Sequence, residues 1–138
     1  MYVLHYFPDT ASLAPRMVLA ELGVQHRCAL IDREAGVLSS PAYRALHPLG
    51  QIPALETPDG PMFETAAILL WLADRAPASG LAPAPDSAGR ADFLKWLFFL
   101  SNTAHADLRQ IFYPRQYVPA DAQRGHLEIM ATRMKRHF

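Results

Sequence analysis

The chain holds a single cysteine, Cys28, in 138 residues, so it can close no internal disulfide and carries no Cys-x-x-C redox pair. A lone thiol suits a reducing cytosol, which is the expected compartment. An excess of either charge is also missing. Thirteen Lys and Arg balance thirteen Asp and Glu, which leaves no basic face to neutralise phosphates and argues against nucleic acid as a partner. The six histidines show no ligand spacing such as H-E-x-x-H, so no metal is expected. The longest unbroken apolar run, residues 66–73, is far short of the ~20 residues of a membrane span, and the N-terminus has no basic n-region. Neither secretion nor insertion into a membrane is expected.

What the chain does have is a 51% apolar composition, enough for one ordinary domain or two small ones. Its pattern changes once. Over residues 1–77 strand candidates alternate with helices: "YVLHYF", "APRMVLAELG", "HRCALID", "PALET", "GPMFE" and "TAAILLWLADRA", the order of an α/β unit. Gly23 is placed to stop the first helix, and Pro58-Asp59-Gly60 reads as a hairpin turn. The aperiodic "APASGLAPAPDSAG" predicts a linker over residues 78–88, closed by a helix cap near Asp86 or Ser87. Residues 89–138 then read as helical. Phe93, Leu97, Leu100, Ala104, Leu108 and Ile111 mark one helix over residues 90–113, and Leu127, Met130, Met134 and Phe138 a second from about Ala120.

The segment "FLKWLFFL" is apolar nearly all round and demands cover from other helices, the first domain or another subunit. The last helix runs into "ATRMKRHF" without a stop signal, so the helical domain is expected to be incomplete at its C-terminal end.

Three stretches carry candidate chemistry. In "YFPDTASLAPRMVLAELG", Ser12 stands at the start of a helix whose free N–H groups favour an anion, with Pro15 tolerated in the first turn. The plainer reading is that Ser12, or Thr10, simply caps the helix, as most such hydroxyls do. In "HPLGQIPALETPDG", proline directly before a short strand suits a sheet edge, a cis peptide or an ordinary strand start, and the first two leave Ile52 backbone groups free for an extended peptide. In "MFETAAILLWLAD", Glu64 and Thr65 join a strand to a helix, where Thr65 can cap and the pair can hold a zwitterion, Thr65 its carboxylate and Glu64 its ammonium.

In this order and at these distances, the three stretches, the Pro-rich linker and the long helix after it resemble the cytosolic glutathione transferases, nearest the bacterial beta-like members. The resemblance implies a thioredoxin-like α/β N-terminal domain followed by an all-α C-terminal domain, a homodimer, and glutathione as cosubstrate in the detoxifying conjugation of a small electrophile. It implies that Ile52, before a cis Pro53, pairs with the cysteinyl part of glutathione. Glu64 and Thr65 would hold the γ-glutamyl end with Gln51 nearby, and Ser12 would face the sulfur. Tyr6, at the end of the first strand, is its rival, as in tyrosine-type transferases. His105 occupies a position where beta-class enzymes also carry a histidine facing the active site, with Arg109 and Tyr113 at helical spacing after it.

Beta-class enzymes carry a cysteine where this chain has Ala11, and Cys28 lies on another strand, so thiol-disulfide chemistry of that type loses its nucleophile. A glutathione thiol with pKa near 8.5 is mostly neutral at neutral pH; a hydroxyl and a helix N-terminus aimed at the sulfur favour the reactive thiolate. The alternatives are a non-catalytic glutathione-binding or protein-interaction domain, or a glutathione-dependent reductase or peroxidase.

Overall fold

The computed structural model describes residues 1–137, which form two compact units, Met1–Arg90 and a second beginning at Ala91. In the first unit, β1 (Tyr2–Tyr6), β2 (His26–Leu30), β3 (Ala54–Thr57) and β4 (Gly60–Phe63) build one mixed sheet in the order β2-β1-β3-β4. β1 runs parallel to β2 and antiparallel to β3, and β3 pairs antiparallel with β4. The parallel pair needs a crossover, and α1 (Leu13–Glu21) provides it. Gly23, at φ +60, turns the chain out of that helix, and residues 57–60 make the β3–β4 turn.

Alternation along β1 sorts the core onto both faces of the sheet. Leu4, Leu19, Leu55 and Ile68 are fully buried with Leu72 where α1 and α3 (Thr65–Arg75) cover one face. Each such side chain contributes about 1.5–3 kcal/mol by leaving water. Ile31, Tyr43 and Ala54 form a second cluster on the opposite face, beneath α2 (Pro41–Leu46). That helix is absent from the sequence pattern above. Six residues are too few for a periodicity, yet its start signal is present: Ser40 Oγ accepts the Tyr43 N–H at 3.1 Å, and Pro41 occupies the first turn.

After α3 the chain runs through a short 3-10 turn (Pro77–Ser79) and a loop to Arg90. Arg90 donates twice to the Asp74 carboxylate, at 2.7 and 2.8 Å, and to the Pro83 carbonyl at 2.9 Å. This fork pins the loop to the end of α3. Ser87, expected as a helix cap, donates its hydroxyl to Ala84 O.

The helical unit corrects the sequence reading in two places. The single helix expected over residues 90–113 is α4 (Arg90–Phe99), a wider π segment (Leu100–Ala104), and α5 (His105–Phe112). Ser101, Asn102 and Thr103 carry side chains that compete for backbone hydrogen bonds, whereas the apolar spacing passes through the π segment unbroken. The second helix, α6 (Gln123–Met134), stops four residues short of the end, because Arg136 N–H bonds Arg133 O and His137 N–H bonds Met134 O in tighter turns. Phe138, assigned above to that helix, lies outside the described residues. No residue of α4 is buried, and Trp96, Phe98 and Leu100 are each about half exposed. No helix among the described residues is long and apolar enough to cross a membrane.

Candidate functional site

Strand register gathers most of the predicted residues at one end of the sheet. Tyr6, the last residue of β1, lies opposite Leu30, and Ile31 N–H donates to Tyr6 O at 2.9 Å. His5 is opposite Ala54, and Ala54 opposite Phe63. The residues before Ala54 and after Phe63, Ile52-Pro53 and Glu64-Thr65, therefore emerge beside the end of β1. Phe7, Leu30, Ile31, Asp32, Arg33 and Glu34 line an open cavity of about 510 Å³ at this end.

The loop from β1 to α1 is held by two hydroxyls. Thr10 Oγ1 donates to Phe7 O at 2.8 Å, Ser12 Oγ donates to the same carbonyl at 3.0 Å, and the two oxygens are 2.8 Å apart. Phe7 N–H donates to Ser12 Oγ and Ser12 N–H to Thr10 Oγ1, each at 3.3 Å. Ser12 is the residue before α1, but its side chain makes no cap bond; it reaches back to Phe7 instead. It is also 1% exposed, whereas Thr10 is half-buried. Of the two residues Thr10 is the less enclosed, and the sequence reading considered it only as a cap. Tyr6 is half-buried against the larger core cluster, with the Arg16 guanidinium 5.2 Å from its ring centre.

The second stretch leaves α2 through a tight turn. Gly50 has φ +61, and a side chain there would meet Leu38 O at 2.3 Å, so only glycine fits. The buried Tyr43 hydroxyl, its pKa pushed up to about 12 by desolvation, donates to Gln51 O at 2.8 Å. The Ile52–Pro53 peptide bond is cis. Pro53 is buried and Ile52 half-buried, and the Ile52 backbone has no hydrogen-bond partner among the described residues.

At the third stretch the helix start lies one residue earlier than expected. Glu64, not Thr65, is the N-cap, and Thr65 is the first residue of α3. Glu64 is exposed and adopts φ +70, a conformation that costs a non-glycine residue energy. Its side chain makes no cap hydrogen bond. His47 was passed over in the sequence, although it opens the quoted stretch. It is 3% exposed, its ring lies 4.8 Å from that of Phe63, and its pKa is lowered by burial while the charge of Glu64 opposes the shift.

His105 belongs to the helical unit, where it is exposed on the first turn of α5 just after the π segment. Arg109 is engaged locally, donating to Tyr117 Oη at 3.1 Å and Gln116 Oε1 at 3.0 Å, with its guanidinium 5.8 Å from the Tyr113 ring centre. The same unit holds an acid that no sequence pattern announced. Asp107, 2% exposed, accepts from Arg133 Nε at 3.0 Å and lies 2.9 Å from His137 Nε2. The hydrogen bond from His137, reinforced by Arg133, holds its carboxyl below the usual range against the opposing effect of burial. Among the described residues no group of three or more His, Cys, Asp or Glu is placed to hold a metal ion.

Residues 11–75 match the family model "Glutathione S-transferase, N-terminal domain". The chain is 30% identical over 143 residues to glutathione S-transferase GST-4.5 of Xanthomonas campestris pv. campestris, covering 98% of this chain and 69% of the relative. It is 35% identical over 115 residues to an elongation factor 1-gamma of Prunus avium, of which it covers 27%. Among solved structures, a sphingomonad glutathione S-transferase complexed with glutathione superposes with a TM-score of 0.79 at 32% identity, over 98% of this chain and 65% of that one. The chain therefore spans about two thirds of the length of these two transferases. The four-stranded mixed sheet with helices on both faces is thioredoxin-like, and a helical region follows it as in those transferases. With that sheet, that helical continuation and this degree of identity over two thirds of a transferase, the chain belongs to the glutathione S-transferase family.

Proposed function

We propose that the chain binds glutathione at the sheet end built by residues 6–12, 51–53 and 64–65, and activates its thiol for attack on a small electrophile. The observation that carries this reading is the pairing of an unpartnered Ile52 backbone, ahead of a buried proline, with an exposed Glu64 carboxylate held at positive φ beside the start of α3. An extended peptide can bond the first, and a zwitterionic head group the second. Ile52 takes the cysteinyl part, Glu64 the γ-glutamyl ammonium, and Thr65 with the free N–H groups of α3 the α-carboxylate. Gln51 lies alongside. The bound glutathione in the sphingomonad structure supports the same ligand.

The sulfur then lies at the Thr10–Ser12 hydroxyl pair and the N-terminus of α1. Thr10, the less enclosed of the two residues, turns its hydroxyl proton from Phe7 O to the thiolate, and Ser12 keeps its own bond to Phe7 O and orders the loop. Lowering the thiol pKa by ~2 units from its usual ~8.5 corresponds to about 2.7 kcal/mol of thiolate stabilisation. The thiol proton leaves to solvent, the thiolate lone pair forms the new carbon–sulfur bond, and the electrophile's leaving group departs with its bonding pair. Assembly as a homodimer and residence in the cytosol complete the proposal.

Absorbance of the bound thiolate against pH tests it. Thr10→Val should raise the titration midpoint by one unit or more at about 1.36 kcal/mol per unit, Ser12→Ala should raise it less while lowering stability, and Tyr6→Phe should leave it in place. A midpoint that moves only in Tyr6→Phe assigns the tyrosine. No movement in any variant sinks thiol activation.

A second reading, a glutathione-binding or interaction domain without turnover, is favoured by Ala11 and by the enclosure of Ser12; the similarity to an elongation factor subunit supports it too. Glutathione binding without conjugation of any electrophile would select it. Reductase or peroxidase chemistry is poorly served, because Cys28 lies on β2 opposite Leu4 and packs against the core.

A further inference from the structure

Tyr43 of α2 is buried in the cluster that it forms with Ile31 and Ala54. Its ring meets that of His5 edge-on at 5.6 Å. Packing alone would be served as well by phenylalanine. The hydroxyl adds a cost, since a buried polar group must find a partner, and the partner it takes is Gln51 O at 2.8 Å. Burial pushes the phenol pKa up to about 12, so the group stays a donor throughout the neutral range. The peptide unit that it holds joins Gln51 to Ile52 and lies outside any helix or strand. Among the described residues, the bond from Tyr43 is the one hydrogen bond that this peptide unit makes. The unit is trans, so its carbonyl and its N–H point to opposite sides of the chain. A carbonyl drawn toward the Tyr43 hydroxyl therefore turns the Ile52 N–H away from the cluster, while the Ile52 side chain packs against it.

We propose that Tyr43 is a positioning residue of the glutathione site, its hydroxyl fixing the Gln51–Ile52 peptide plane so that the Ile52 N–H meets the cysteinyl carbonyl of the ligand. This rests on the glutathione reading above. Without the hydroxyl, the plane loses its one anchor and the N–H its aim, while the ring still fills the cluster. The device also selects among thiols: a ligand with a carbonyl on its sulfur-bearing residue gains the bond, and one without that carbonyl does not.

Two ligands separate positioning from packing: glutathione, and γ-glutamylcysteamine, which keeps the γ-glutamyl group, its amide and the thiol but has no cysteinyl carbonyl. In calorimetry Tyr43→Phe, which keeps the ring, should weaken glutathione roughly threefold to tenfold, the range of a lost neutral hydrogen bond, and should leave γ-glutamylcysteamine unchanged. An equal loss for both ligands makes the hydroxyl a purely structural group and overturns the inference, as does glutathione binding to the variant as it does to wild type. NMR of the wild-type chain adds a test that needs no variant. Saturating glutathione should move the Ile52 amide proton downfield, and saturating γ-glutamylcysteamine should move it much less; equal shifts overturn the pairing of that N–H with the cysteinyl carbonyl. Wild type that binds neither ligand overturns the glutathione reading and the positioning role together, whereas wild type that binds both with Tyr43→Phe indifferent removes the role of Tyr43 alone.

Discussion

Replacing Glu64 by glycine should make the protein more stable and a worse binder at once. The residue sits at φ +70 and ψ 113, outside the regions that a side-chain-bearing residue occupies comfortably, at a cost of about 1–2 kcal/mol. Glycine removes that cost but adds about 0.5–1 kcal/mol of unfolded-state entropy, leaving a net gain of about 0.5–1 kcal/mol. For a chain of this size that raises the unfolding midpoint by roughly 2–4 °C. Glutathione loses the partner of its ammonium, a charge-assisted hydrogen bond of about 1.5–3 kcal/mol, so its affinity falls roughly 10-fold to 150-fold. Scanning calorimetry reads the first effect and titration calorimetry the second. A less stable variant would show that the Glu64 side chain supports the fold; unchanged affinity would reduce the junction to a helix start.

Gly50→Ala should destabilise by roughly 2–4 kcal/mol, since it combines positive φ with a clash against the fixed Leu38 carbonyl; denaturant unfolding measures it, and a loss under 1 kcal/mol would contradict the tight turn. Asp107 has a folded pKa below its unfolded value, so its contribution is present above about pH 4 and is lost as pH falls through the folded pKa. Asp107→Asn should therefore destabilise the chain at neutral pH and flatten the acid limb of stability against pH; equal acid sensitivity in both proteins would remove Asp107 from the account.

The three stretches that carried the family resemblance were legible because each couples a backbone requirement to a residue type: proline before a strand, glycine after a helix, a carboxylate and a hydroxyl at a strand–helix junction. The register that brings them together was not legible, since β1–β3 pairing spans some fifty residues and no local pattern encodes it. Ser12 illustrates the limit. Its position before a helix was readable, but its hydroxyl turns inward because Phe7 O and N–H lie within reach, a fact of loop geometry. That left Thr10 as the less enclosed residue of the pair. His47 escaped notice because its ring packs on Phe63, sixteen residues on at the end of β4, and no local pattern shows that contact. Asp107 reads in sequence as an ordinary polar position of a helix, and only packing of α5 against α6 buries its carboxylate and brings the exposed Arg133 within hydrogen-bond reach.

The claim on which the rest depends is that one end of the sheet binds glutathione. Backbone NMR of the chain titrated with reduced glutathione tests it residue by residue. The account predicts saturable shifts at the amides of residues 10–13, at Ile52 and at residues 64–66, with the β3–β4 turn at Asp59, at the far end of the hairpin, unchanged. A titration that leaves the sheet end unmoved, or that moves the Asp59 turn in its place, would contradict it.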